Sequence, residues 1–209
     1  MSKIICYGCS NTFGLELDGV DIHGTPSKNC FASLIGAENC GIPGASNKQI
    51  MLKILERTYN PTDKICIQWT YPKSRTLLVD GNGIRHQLFS HLRYDKWTKM
   101  SLSDRQTAHH WQKYNITRSY LDAMIDEYIF VRTADLHIKS FGAKILHIHC
   151  DEIMWTKFNE NHIPRHLYIP MYDISKIMFQ EGDQCPNGHP GRRGHELTAK
   201  FIKRRLTKL

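Results

Sequence analysis

The chain has 209 residues, 41% of them hydrophobic and 23% charged, with a formal net charge of +8. That is an ordinary globular balance, sufficient for one domain with a sizeable core. It excludes a membrane-spanning helix, because no apolar run approaches ~20 residues. It also excludes a small disulfide scaffold, because the seven cysteines are an odd number and fall partly in strand-like runs.

In chain order, residues 3–7 (Lys-Ile-Ile-Cys-Tyr) read as a strand that breaks at Gly8. The apolar run is too short for a secretory signal, so a reducing, cytoplasmic setting is expected. Ser10 follows, with Asn11, Thr12 and Gly14 supplying turn and cap chemistry. Residues 15–23 are irregular and acidic. Thr25-Pro26-Ser27 reads as a helix start, with Phe31, Leu34 and Ile35 on its apolar face. A short strand near 37–39 leads into the loop Gly41-Ile42-Pro43-Gly44. Ser46 or Asn47 caps a helix in which Ile50, Met51, Ile54 and Leu55 recur at helical spacing.

Residues 64–69 read as a strand, with Thr70 at its carboxyl end. Residues 71–115 are aromatic, basic and aperiodic, and are expected to form a partly helical lid or substrate wall. A helix is predicted over about 117–140 from the spacing of Leu121, Met124, Ile125, Tyr128, Val131, Ala134 and Ile138, with Gly142 as its stop. A strand over 143–149, a second long excursion over 151–185 and a last helix over 194–207 complete the chain. Strands alternating with helices predict a parallel sheet covered on both faces.

Two stretches carry chemistry. Ligands of open α/β sheets gather past the carboxyl ends of the strands. There Ser10 could attack a carbonyl while neighbouring backbone N–H groups hold the oxyanion. His189 sits in the loop Cys185-Pro186-Asn187-Gly188-His189-Pro190, just before the last helix, where a histidine can act as general base toward Ser10. His195, nearer the helix, reads as structural.

Together these stretches carry a resemblance. Gly8-Cys9-Ser10 resembles the first block of SGNH (GDSL-type) hydrolases, Asn39-Cys40-Gly41-Ile42-Pro43-Gly44 the second, and Asn187-Gly188-His189-Pro190 the last. Phage-encoded and environmental members are the most similar in character, which adds virion association as a second setting. The resemblance implies a three-layer, flavodoxin-like α/β sandwich of about five parallel strands. It implies a single domain over 1–209 with lids at about 71–115 and 151–185. It also implies a serine esterase without metal or cofactor, acting through an acyl-enzyme. Ser10 would be the nucleophile and His189 the base, with the backbone N–H groups of Ser10 and Gly44 in the oxyanion hole.

Three positions depart from the family pattern. Cys9 replaces an Asp. Thr70 stands where the third block supplies an Asn for the oxyanion hole. Pro186 occupies the usual acid position, leaving Asn187 or Asp183 to orient His189, unless a backbone carbonyl does so. The fold without catalysis, as a binding or phage accessory protein, is the alternative reading.

Other constellations compete. His147 and His149 share a strand face near Asp151, a partial metal set, although satisfied interior histidines account for the same spacing. Cys6-x-x-Cys9 lacks the second pair of a zinc site. The aromatic–basic run 91–97, with Tyr94 and Trp97, suits stacking on a sugar and so an acylated carbohydrate or small-molecule substrate, or else a base; a metal-dependent or nucleic-acid enzyme is the further alternative. Lys200, Lys203, Arg204, Arg205 and Lys208 suit an anionic partner, or simply complement the dipole of the last helix.

Overall fold

The computed structural model describes residues 2–71, 75–79, 85–89, 102–149, 155, 158, 160–186 and 188–209. In chain order the strands are β1 (Ile4–Gly8), β2 (Glu38–Gly41), β3 (Lys64–Trp69), β4 (Arg75–Val79), β5 (Arg85–Phe89), β6 (Lys144–His149) and β7 (Met171–Asp173). The helices are α1 (Ser10–Phe13), α2 (Phe31–Leu34), α3 (Asn47–Leu55), α4 (Leu102–Thr117), α5 (Tyr120–Ser140), α6 (Ser175–Met178) and α7 (Arg192–Leu206).

Five strands pair in the order β2-β1-β3-β6-β7, every pair parallel. Taken in chain order among themselves, these strands follow the flavodoxin-like order 2-1-3-4-5. The expected α/β architecture is therefore what the chain adopts. Because all five strands run the same way, their carboxyl ends share one edge. β4 and β5 form a separate antiparallel hairpin.

The core follows from strand periodicity. Alternate residues of a strand face opposite sides of a sheet, and here both sides are covered, so the strands read as nearly continuous apolar runs. Ile5, Tyr7, Ile65, Ile67 and Trp69 pack with Ile50 and Ile54 of α3 and Val131, Ala134 and Ile138 of α5. Cys6, Cys66, Leu146 and Ile148 pack on the other side with Phe31 of α2, Met178 of α6 and Ala199, Ile202 and Leu206 of α7. Each fully buried isoleucine contributes about 1.5–3 kcal/mol relative to exposure, so these two layers hold the sheet edge that bears the site.

The helix foreseen over about 117–140 is α5, one helix from Tyr120 to Ser140, and the Ser119 hydroxyl accepts the Asp122 N–H at 3.0 Å as its N-cap. Other elements differ from expectation. The helix foreseen from 25–27 starts only at Phe31. Ser27 is drawn away from a capping role: its hydroxyl donates to Asp18 Oδ2 at 2.6 Å and accepts the Asn29 N–H at 3.0 Å. The fifth strand, β7, arises inside the 151–185 stretch, where the sequence shows no strand periodicity.

Elsewhere the local signals hold. Ser46 Oγ accepts the Gln49 N–H at the start of α3, and Gly142 follows α5 at φ 76°. Lys200, Lys203 and Arg204 of α7 and Lys208 beyond it are exposed, whereas Arg205 folds its guanidinium over the rings of Tyr172 and Phe201 at 4.3 and 5.2 Å. Among the described residues, no helix is long and apolar enough to cross a membrane.

Candidate active site

β1 ends at Gly8, and the chain turns at once into the single turn of α1, which folds back over the strand it has just left. A methyl group at Gly8 would lie 2.0 Å from Thr12 Oγ1, so only glycine permits the turn. Thr12 Oγ1 donates to Gln68 Oε1 of β3 at 2.6 Å, and Asn39 Nδ2 of β2 donates to Thr12 O at 2.8 Å. The turn is thereby tied to both neighbouring strands. Ser10 opens α1 and is 3% exposed. Its hydroxyl points toward Cys9 Sγ at 4.0 Å, a weak contact, and makes no hydrogen bond to His189.

Gly44 and Thr70 stand at the same sheet edge. Ile42 N–H donates to Gly8 O at 2.9 Å and Ala45 N–H to Ile42 O at 3.0 Å, which sets the loop after β2 with Gly44 at φ 76°. Thr70 follows β3, its N–H donating to Asn47 Oδ1 at 2.7 Å. Among the described residues, the N–H groups of Ser10 and Gly44 and the hydroxyl of Thr70 have no hydrogen-bond acceptor. Three donors at one edge of the sheet are thus uncommitted while the backbone around them is held.

His189 is carried by a tight turn: Cys185 N–H donates to His189 O at 2.8 Å, Gly188 N–H donates to Cys185 O at 2.9 Å, and Gly188 lies at φ 85°. His189 Nδ1 lies 2.8 Å from Glu16 Oε2, with both side chains largely shielded, at 21% and 16% exposure. Glu16 lies six residues after Ser10, in left-handed backbone at φ 67°. Such a conformation costs a non-glycine residue about 1–3 kcal/mol and concentrates at functional sites. Neighbouring contacts hold it: Glu16 N–H donates to Val20 O at 2.8 Å, and Asp18 accepts from Ser27, Asn29 and Arg192. The hydrogen bonds from Ser27 and Asn29 hold the Asp18 carboxyl below the usual carboxylate range.

Of the two residues expected to orient His189, Asp183 makes no hydrogen bond to it. Its carboxylate accepts the Gly194 N–H at 2.7 Å and its carbonyl accepts the Gly191 N–H at 2.5 Å, so it anchors the start of α7. The glycine at 191 is obligatory, since a Cβ there would lie 2.1 Å from Asp183 O. Asn187, the other expected partner, lies outside the described residues, as do Tyr94, Trp97 and Asp151. Glu16 escaped the sequence reading because family spacing directs attention to residues just before the histidine. The available signal was an acidic, irregular stretch directly after the serine turn.

His195 and His147 are buried within the fold. His195 is 1% exposed, stacks on Phe31 and accepts the Phe31 N–H on Nδ1 at 3.2 Å. Burial pushes its pKa down to about 4, against the pull of Asp183 and Asp18, so it is neutral near pH 7. His147 has both ring nitrogens engaged. Trp69 Nε1 donates to Nδ1 at 3.0 Å, which fixes Nε2 as the protonated nitrogen facing Asp135 Oδ1 at 3.2 Å. Burial lowers the His147 pKa, with Asp135 opposing it. At Asp135 burial works upward, but His147 and Lys139 outweigh it and hold the carboxyl low. His147 therefore has no nitrogen left for a metal.

No family model matches this sequence, and no curated protein matches it at a significant level. Among solved structures, the chain is similar to a protein from Bacteroides fragilis NCTC 9343 that is provisionally named an acylhydrolase. The similarity covers 99% of this chain and 86% of that one, with a TM-score of 0.50 and 13% identity. At that identity the likeness speaks for the fold: the chain shares the α/β architecture of an acylhydrolase-like protein.

Proposed function

We propose that this protein is a serine ester hydrolase of the SGNH type, with Ser10 as nucleophile, His189 as general base and Glu16 as the acid. One observation carries the reading: a carboxylate six residues after Ser10 holds Nδ1 of the histidine that the resemblance assigns as base. With Nδ1–H donating to Glu16, the Nε2 lone pair is left to take the serine proton. A carboxylate in that place also stabilises the imidazolium that forms.

Ser10 Oγ adds to the ester carbonyl carbon as its proton passes to His189 Nε2. The oxyanion is received by the Ser10 and Gly44 N–H groups and the Thr70 hydroxyl. The intermediate collapses, the C–O bond to the alcohol breaks, and the alcohol leaves with the proton from Nε2. Water, deprotonated by the same nitrogen, then cleaves the acyl-enzyme. Removing one oxyanion donor raises the barrier by about 3–4 kcal/mol. The substrate class we propose is a short-chain acyl ester such as an O-acetylated carbohydrate, with Tyr94 and Trp97 as its stacking residues.

A second reading, a binding protein on the same fold without turnover, is favoured by the absence of a Ser10–His189 hydrogen bond. Unliganded sites commonly show loose catalytic hydrogen bonds that tighten with substrate, so we rank it second. A fluorophosphonate probe decides between the two. Labelling at Ser10, with turnover of a short-chain aryl ester lost in Ser10→Ala, is the expected result. A folded protein that neither labels nor turns over would support the binding reading, and turnover that survives Ser10→Ala would sink the serine mechanism.

A further inference from the structure

β3 ends at Trp69, whose last ladder partner is His149. The backbone polar groups of Thr70 therefore need partners outside the sheet. Asn47, the first residue of α3, supplies both. Its Oδ1 accepts the Thr70 N–H at 2.7 Å and its Nδ2 donates to Thr70 O at 2.9 Å. One planar amide thus holds both sides of a single residue.

The orientation of that amide is itself fixed. Nδ2 also donates to Glu127 Oε2 of α5, a contact spanning 80 residues of sequence. Asn47 is 3% and Glu127 7% exposed, and Asn47 is the hydrogen-bond partner of the Glu127 carboxyl among the described residues. The group borders a cavity of about 20 Å³ lined by Trp69, Thr70, Met124, His149 and Trp155 among others. A glutamine would satisfy the same amide without the cost of placing an ionisable group in an apolar wall.

We propose that Asn47 and Glu127 are positioning residues of the oxyanion hole, fixing Thr70 so that its hydroxyl meets the developing oxyanion in place of the side-chain amide the third block lacks. The inference rests on the reading of Ser10 as nucleophile. It adds a pH device. Burial raises the Glu127 carboxyl to about 8, with the Asn47 hydrogen bond and Arg118 pulling down and Asp126 pushing up. His149 shares the cavity. Below that value the carboxyl is neutral. Above it, a second negative charge forms behind Thr70 and opposes the oxyanion.

The test uses the full chain and a short-chain aryl ester, with the rate of fluorophosphonate labelling as a second readout of Ser10 reactivity. Thr70→Val is expected to lower kcat about 100-fold with little change in KM. Asn47→Ala is expected to lower kcat in the same way, and the Asn47→Ala/Thr70→Val double variant to lose little more than either alone. Glu127→Ala, which removes the acceptor of Asn47 Nδ2, is expected to lower kcat as Asn47→Ala does, and the conservative Glu127→Gln to rescue it at pH 7 while losing the alkaline fall near pH 8 that is expected of the native chain.

Additive losses in the double variant, or an alkaline limb that persists in Glu127→Gln, would overturn the inference while leaving Ser10 standing. Should Asn47→Ala fail to fold, the Glu127→Gln profile decides alone. Absence of Ser10 labelling in the native chain would instead remove the reading beneath the inference, and the inference with it.

Discussion

Replacing Glu127 by Gln should change how stability depends on pH, whether or not the site turns over. Burial lifts the carboxyl from an ordinary 4.5 to about 8 in the folded chain. Between those values the folded state keeps a proton that the unfolded state has released. Stability contributed by this group is therefore full below about pH 4.5 and is lost as pH rises toward 8, by up to about 1.4 kcal/mol per pH unit. By pH 7 the loss is about 3 kcal/mol relative to pH 4, a large share of a typical domain's 5–15 kcal/mol. Glutamine carries no such proton and still offers an oxygen to Asn47 Nδ2.

The stability gap between Glu127→Gln and the native chain should therefore widen steadily from pH 5 to pH 8. With an m-value of about 2–3 kcal/mol/M in urea, the midpoints should separate by about 1.5 M across that range. Urea unfolding followed by tryptophan fluorescence at several pH values reads this directly, and taking the difference between the two proteins cancels every other titrating group. A gap that stays constant from pH 5 to pH 8 would refute the reasoning, because it would mean that Glu127 ionises as freely in the folded chain as in the unfolded one.

Other substitutions probe the remaining parts. Glu16→Gln leaves a neutral partner on His189 and should cut kcat by about 1,000-fold or more, with Ser10 labelling slowed in step; an unchanged rate would remove Glu16 from the site. Gly8→Ala forces a methyl group to within 2.0 Å of Thr12 Oγ1 and should destabilise the fold by about 1–3 kcal/mol or more, measured by thermal melting. Trp69→Phe strips the donor from buried His147 Nδ1 and should cost about 1–3 kcal/mol, with a larger part of the loss recovered in a Trp69→Phe/His147→Phe double variant. Retention of native stability in Trp69→Phe would count against the neutral, doubly bonded His147.

Much of the architecture was legible because parallel strands buried on both faces leave plain apolar runs, as in 64–69 and 143–149. The caps at Ser46 and Gly142 were legible for the same local reason: their chemistry acts within one turn of the chain. What escaped was set by contacts distant in sequence. β7, with only three residues from Met171 to Asp173, is a strand because β6 lies beside it, not because of its own pattern. Ser27 looks like a helix start until Asp18 claims its hydroxyl. Glu16 meets His189 across 173 positions, and no local periodicity encodes such a meeting. The same holds for Asn47 and Glu127, which read as an ordinary cap residue and an ordinary helical glutamate until the fold closes around them.

The placement of Glu16 ties two parts of the fold together. Glu16 meets His189 between the turn after β1 and the loop before α7, and Asp18 of the same segment meets Arg192 of α7. These contacts form a clasp on α7. Loosening that helix would part His189 from Glu16 and leave Ser10 on its strand-end turn, so in the proposed site reactivity would report on whether the clasp is shut.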